Sequence, residues 1–220
     1  MLIGAHFPVR PSLLDALRQA EDLGLEAIQI FAYRRHEFYF DPGLNQEKKR
    51  KLDQEIKEWN RALKTSPIKY IAVHSRAVAT LAASDAALRK KAVEKFKQEI
   101  ELAGMLQAHC YVFHLGPHSD NMRAKEGLQL ASEELAKILE SLPKNSPVAV
   151  LENVPGGGRR MGGKLEELAE VTANLKAFGS RFGICLDFAH LWGAGYEISS
   201  AQKAKEFWMD FKNPNQLVLL

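Results

Sequence analysis

The sequence predicts an α/β protein of the TIM (β/α)8-barrel type with about seven of its strands present. Three observations predict it. Short apolar runs alternate with longer stretches of helical period along all 220 residues. The connections between them are short, and strand–helix–strand repetition of that kind gives parallel strands with right-handed crossovers. The polar residues that end the runs are metal-competent, and they stand at C-terminal tips, where such barrels carry their active sites.

Each element follows from its own signal. The strand-like runs are residues 2–6, 26–31, 69–74, 110–115, 148–153, 182–187 and 216–220. Ser12 is placed to cap the first helix, with Asp15 three residues on as a capping-box variant and Gly24 at its end. Leu52, Ile56, Trp59 and Leu63 form a stripe at 4-3-4 spacing. Further stripes are Leu88, Ala92, Phe96 and Ile100, then Leu128, Ala131, Leu135, Ile138 and Leu142, then Leu165, Leu168, Thr172 and Leu175. Residues 32–47 form the long polar connection, and 155–163 form a Gly-rich loop inside the domain. A closed barrel has eight strands and typically about 250 residues. The last apolar run stops at Leu220, so the expectation is a single barrel domain over 1–220, truncated at its C-terminal end.

Bulk properties narrow the class. With 46% hydrophobic and 26% charged residues, the composition suits a soluble globular protein. No apolar run approaches the roughly 18–20 residues of a membrane span. The opening MLIGAHFPVRPS lacks the basic-then-apolar pattern of a secretory signal. A cytoplasmic protein is therefore expected, with no membrane partner and no obligate protein partner. Cys110 and Cys185, each inside an apolar run, read as buried reduced thiols. A net charge of +3 neither demands nor opposes a nucleic-acid partner.

Alternate residues of a barrel strand point inward. Tyr70, Ala72 and His74 share one face, as do Cys110, Val112 and His114, then Val148, Val150 and Glu152, then Gly183, Cys185 and Asp187. Each set ends in a side chain that can hold a metal. Four consecutive strands ending in His, His, Glu and Asp predict one site, because imidazoles and carboxylates gathered without a cation leave charge poorly compensated. His190, three residues after Asp187, can reach the same cleft.

Four stretches carry a family resemblance. They are His114-Leu-Gly-Pro-His118; Glu152-Asn153 with Gly156 to Gly158 and the following KLEELA; Gly183 to His190 running on to Ala194-Gly195-Tyr196; and Ile3-Gly-Ala-His6. Together they resemble endonuclease IV, the family 2 apurinic/apyrimidinic endonucleases of the xylose-isomerase-like barrels. The resemblance spans the whole chain but lacks the family's last two strands. It implies a site for up to three Zn²⁺ ions, with Mn²⁺, Fe²⁺ or Co²⁺ as alternatives. His74, His114 and Glu152 would hold the first ion, Glu152 would bridge to a second that Asp187 also binds, and His190 would help hold the third. The remaining family ligands would lie past Leu220. The implied activity is hydrolysis of the phosphodiester 5′ to abasic sites in duplex DNA, a repair reaction with Glu152 as the catalytic residue. On this reading, the chain as it stands at 1–220 is expected to be weak or inactive.

The sequence departs from the family in places. Asp-Phe-Ala-His stands where the family has Asp-Thr-Cys-His. Ala77 and Thr80 replace a Tyr and an Asn that meet DNA, and Arg10-Pro11 replaces a Gly-Gly. A metal-dependent sugar isomerase or epimerase of the same superfamily therefore stays open, as does a non-catalytic metal-binding barrel. For substrate binding the candidates are Arg34, Arg35, His118, Arg159 and Arg160. Arg34, Arg35, Phe38, Tyr39 and Phe40 could meet a phosphate backbone and exposed bases, or could simply anchor their loop. Gly156 to Gly158 could admit a substrate or make a turn. His6 reads as packing, His36 and His109 as solvated, and Lys48 to Lys51 as the wet face of a helix.

Overall fold

The structure, a computed structural model, describes residues 1–34, 37–76, 79–210 and 217–218. Strands and helices alternate as the patterning requires. In chain order they are β1 (Gly4–Phe7), α1 (Leu13–Asp22), β2 (Ala27–Phe31), α2 (Gln46–Ala62), β3 (Tyr70–His74), α3 (Ala86–Met105), β4 (Cys110–Phe113), α4 (Ala124–Ser141), β5 (Val148–Glu152), α5 (Leu165–Asn174), β6 (Phe182–Cys185), α6 (Phe188–Gly193), α7 (Ala201–Asp210) and β7 (Leu217–Val218). A short 3₁₀ segment, Lys176–Arg181, leads into β6. All seven anticipated runs contain a strand. Gln216, Leu219 and Leu220 of the last run lie outside the described residues, as do Arg35, His36 and Ala77.

The chain forms two compact units, each drawn from three separate stretches of sequence. The interleaving explains why no boundary shows as a linker. The first unit comprises Met1–Arg76, Gln98–Tyr111 and Asn145–Pro147. In it β1, β2 and β3 pair in parallel, with Gly4 opposite Ala27 and Ala27 opposite Tyr70. The start of β4 follows β3 through the His109 N–H, which donates to the Ile71 carbonyl at 2.8 Å. His109 is not merely solvated: its Nδ1 accepts from the Ile71 N–H, and its ring stacks on Tyr70. Gly4 is required where it stands, since a Cβ there would come within 2.5 Å of the Ala27 carbonyl oxygen. Ile56 and Trp59 of the α2 stripe are buried, and the Trp59 indole donates to the Leu106 carbonyl at 2.9 Å. Lys48 to Lys51 are exposed, as expected.

The second unit comprises Ala77–Lys97, Val112–Lys144 and Val148–Leu220. Here β5, β6 and β7 pair in parallel, with Ala149 opposite Phe182 and Ile184 opposite Leu217. The α4 stripe packs as its spacing demands: Leu128, Ala131, Leu135 and Ile138 are all buried. Leu88 differs, being 49% exposed in the first turn of α3, so the buried stripe of that helix starts later, at Phe96. Cys110 and Cys185 are both buried, and no disulfide joins them. No helix among the described residues is long and apolar enough to cross a membrane.

Candidate metal centre

The tips of β4, β5 and β6 carry the cluster of the second unit. Glu152 closes β5 and is buried, 7% exposed, so its carboxylate needs local compensation. Its two oxygens face two imidazoles. Oε2 lies 3.0 Å from His114 Nε2, one residue past β4, and Oε1 lies 3.8 Å from His190 Nδ1. The His114 and His190 rings are 5.7 Å apart and meet edge to face.

Asp187 and His190 are brought together by a helix cap. Asp187 is the N-cap of α6, and its Oδ1 accepts from the His190 backbone N–H at 2.8 Å. Capping turns the chain so that the residue three positions on lies over the carboxylate. Asp187 Oδ2 is accordingly 3.8 Å from His190 Nδ1. The Asp-Phe-Ala-His spacing thus sets both ligands by one local rule. Donor atoms of Glu152, Asp187 and His190 all lie within 4.8 Å of one another.

Asn153 was not among the residues singled out for a role in the site, and it holds this arrangement in place. Only 1% exposed, it accepts the Asp187 N–H at Oδ1 (2.7 Å) and donates from Nδ2 to the Asp187 carbonyl (3.1 Å). Its own carbonyl lies 2.8 Å from His190 Nδ1. A carbonyl only accepts, so that nitrogen carries the proton and the lone pair of the neutral ring sits on Nε2. The sequence signal was its place directly after Glu152 in an otherwise apolar strand.

In the first unit His74 ends β3, and its Nδ1 faces the Ser75 carbonyl at 2.7 Å. Its ring lies among Phe31, 5.7 Å away, and His6, 6.2 Å away. His6 packs on Phe31 at 4.6 Å, in keeping with a packing role. A backbone carbonyl on Nδ1, as on both His74 and His190, leaves Nε2 as the donor atom of the neutral ring, the usual support of a metal-binding imidazole. A mixed imidazole and carboxylate donor set built this way fits a divalent cation such as zinc.

The candidate substrate residues are distributed unevenly. In the second unit the loops after β4 and β5 are stapled together. Pro117 and Arg160 form an antiparallel bridge, the His118 N–H donates to the Arg159 carbonyl, and the Met161 N–H donates to the Gly116 carbonyl. Gly156, Gly157 and Gly158 all have positive φ, at 73°, 88° and 59°, a path that side chains rarely follow. The cleft so formed is lined by His114, Gly157, Gly158, Arg159 and Arg160. Arg159 is half exposed, with Asp120 at 3.6 Å. His118 Nδ1 is held by the Ser119 carbonyl, and its Cβ rests against Gly127 of α4.

In the first unit Arg34 is an anchor. It pairs with Glu55 through Nη1 at 2.8 Å and Nη2 at 2.7 Å, and it also pairs with Glu37. Burial alone would push the Glu55 carboxyl up, but Arg34 and the Leu13 N–H outweigh it and hold the group below its ordinary value. Phe38 is buried among Tyr33 and Phe40, and the Tyr39 hydroxyl donates to Asp53 at 2.7 Å. Of the two readings of this loop, the side chains support loop anchoring.

Parallel strands, alternating helices and a polar cluster at the strand tips define the class, and comparison with known proteins agrees. The chain belongs to the xylose isomerase-like TIM barrel family, whose model matches residues 17–214. Within it the likeness is to endonuclease 4. The probable endonuclease 4 of Natranaerobius thermophilus is 32% identical over 206 residues, which cover 93% of this chain and 68% of that protein. The crystal structure of endonuclease IV from Thermus thermophilus superposes with a TM-score of 0.65 at 25% identity, over 89% of this chain and 66% of that one. A D-tagatose 3-epimerase-like protein shares the fold, with a TM-score of 0.69 at 23% identity, over 92% of this chain and 71% of that one. The resemblance read from the sequence is therefore borne out at the level of family and fold.

Proposed function

We propose that this chain carries the metal-binding centre of an endonuclease that hydrolyses the phosphodiester 5′ to abasic sites in duplex DNA. The observation that carries the reading is the buried Glu152 carboxylate, with Oε2 3.0 Å from His114 Nε2 and with one oxygen in the group of Glu152, Asp187 and His190 donor atoms that all lie within 4.8 Å of one another. A carboxylate so placed is suited to bridging two cations. Its relatives named probable endonuclease 4 support the same reading.

His114 and Glu152 would hold a first ion with His74, which the inward parity of the strands assigns to the same set. Glu152 and Asp187 would hold a second, and His190 would help hold a third. Zinc suits the donors, with Mn²⁺, Fe²⁺ or Co²⁺ as alternatives. Such ions supply positive charge to the phosphodiester and its leaving oxygen and lower the pKa of a nearby water. The protein's part is positional. Asn153 fixes Asp187 and His190, the Gly-rich loop lets main chain approach a backbone phosphate, and Arg159, Arg160 and His118 border that cleft. An abasic nucleotide turns out of the duplex at little cost, having no base pair to break.

A sugar epimerase is the second reading. It is favoured by the compact Glu152, Asp187 and His190 group, which suits a single cation on two carboxylates and an imidazole. One experiment separates the two. The chain, loaded with zinc, is incubated with a duplex bearing one abasic site and separately with a panel of ketoses and aldoses. Chelator-sensitive nicking is expected, weak for residues 1–220 alone, and Glu152→Gln should remove most of it, with zinc affinity lowered on the order of 100-fold. Sugar interconversion without nicking would transfer the assignment to the epimerase reading.

A further inference from the structure

We propose that Arg76 is an anion clamp for a phosphate-ester group and that the buried Glu99 is the positioning residue that aims it. The proposal deepens the reading above and rests on it only for the source of the phosphate.

Glu99, on α3, is 1% exposed. A carboxylate so buried must be compensated. Donors from three other places in the first unit reach it: the Tyr33 hydroxyl at 2.8 Å, the Tyr111 hydroxyl at 2.9 Å, and the Ser75 hydroxyl at 3.0 Å with the Arg76 backbone N–H at 3.3 Å. Burial and the Glu99 charge push the Tyr33 phenol far above its ordinary range, so it remains a donor at any working pH. This network fixes the main chain directly after His74 and fixes the Tyr33 ring at the same time.

The Arg76 guanidinium lies over those fixed groups. It is 4.8 Å from the Phe31 ring centroid and 6.0 Å from that of Tyr33. Aromatic faces hold a guanidinium in place without neutralising it. Arg76 makes no ion pair among the described residues, in contrast to Arg34 beside it, which is bound to Glu55. Glu99 grips the backbone of Arg76 rather than its charge. The cleft that Arg76 lines is shared with His6, Arg10, Phe31, Tyr33 and the Glu55-paired Arg34, and no carboxylate among the described residues lines it. A planar, stacked and unneutralised guanidinium in a cationic cleft matches the two-oxygen face of a phosphate ester. A neutral sugar hydroxyl would not need that charge.

The test measures binding with chelator present, so that nothing is cut and the metal centre contributes nothing. Two probes are used: a fluorescent duplex with one abasic site, followed by anisotropy across a salt series, and a pentose phosphate, followed by calorimetry. Arg76→Ala should bind the duplex roughly tenfold more weakly, with a salt slope shallower by about one. Arg76→Lys should restore the slope but not the full affinity, since the stacked fork is lost. Glu99→Gln should weaken binding while leaving the slope unchanged, because the charge is present but misdirected. Thermal melting of each variant separates this from unfolding, which would move the melting temperature without the selective change in slope. Arg76 dependence with the pentose phosphate and none with the duplex would make the ligand a small phosphate ester, retaining the clamp and counting against the nuclease reading. A wild-type Kd and slope for Arg76→Ala with both probes would overturn the proposal, as would failure of the native chain to bind either. A negative nicking assay alongside Arg76-dependent binding would count against the nuclease reading alone.

Discussion

At the scale of single residues, one side chain of the centre serves two purposes that substitution can separate. Asp187 caps α6 through Oδ1 and turns Oδ2 toward His190. Asn caps a helix about as well as Asp, but an amide oxygen is a far weaker partner for a cation than a carboxylate. Asp187→Asn should therefore keep the unfolding free energy from chemical denaturation within about 0.5 kcal/mol of the parent, the range of a tolerated substitution. The same variant should lose at least tenfold in zinc affinity. A marked loss of stability with unchanged zinc affinity would make Asp187 a structural cap and no more. The candidate ligands were legible in the sequence because strand parity places residues two apart on one face. Asn153 and Glu99 were not assigned roles, because their partners come from distant parts of the chain: Asp187 in one case, Tyr33, Ser75 and Tyr111 in the other. A hint existed for Glu99, an acid set between Phe96 and Ile100 on the buried stripe of α3.

At the scale of elements, local chemistry sets the ends of the helices. Ser12 caps α1: its hydroxyl accepts from the Asp15 N–H at 3.2 Å and donates to the Asp15 carboxylate, while Gly24 follows the helix with φ at 67°. Removing the cap leaves helix N–H groups without that acceptor. Ser12→Ala should lower stability by about 1 kcal/mol, read as a shift in urea midpoint at constant m-value, with zinc affinity unchanged. A fall in zinc affinity would show that α1 communicates with the metal centre. Helix interiors followed the 3.6-residue period, because a residue on the core face is buried whatever its neighbours in sequence. The loop at 32–47 did not yield to that logic. Its Arg34 could serve a phosphate or a carboxylate equally well, and the choice fell to Glu55, 21 residues away on α2.

At the scale of the whole molecule, groups that folding holds in the neutral form, by burial or by a hydrogen bond to a carboxylate, make stability depend on pH at the alkaline end. Burial pushes the Cys110 thiol up to about 11, and the hydrogen bond to Asp53, with burial second, pushes the Tyr39 phenol up to about 12. In the unfolded chain these groups lose their protons near about 8.5 and about 10. Between those values and the native ones the folded state binds more protons, so stability is full below about pH 8.5 and falls as pH rises toward 12. The urea midpoint should decline from pH 8 to pH 11, and Cys110→Ala should flatten the earlier part of the decline. A midpoint that holds steady or rises across that range would contradict the account.

The sequence by itself determined the strands, most of the helix stripes, the family and the tips where ligands stand, because periodicity and capping are rules of near neighbours. Glu152, Asp187 and His190 could be listed from the chain, and a local cap joins the last two, but the approach of Glu152 to within 4.8 Å of them is a product of strand pairing. Tertiary structure alone decided which charges are occupied and which are available. Arg34 and Arg76 are indistinguishable as letters, each an arginine just beyond a strand tip. One meets the Glu55 carboxylate and becomes a loop anchor, while the other meets two aromatic faces and keeps its charge. The physical reason is that a charge is quenched by what lies within a few ångströms of it, and those neighbours are set by folding across distant segments.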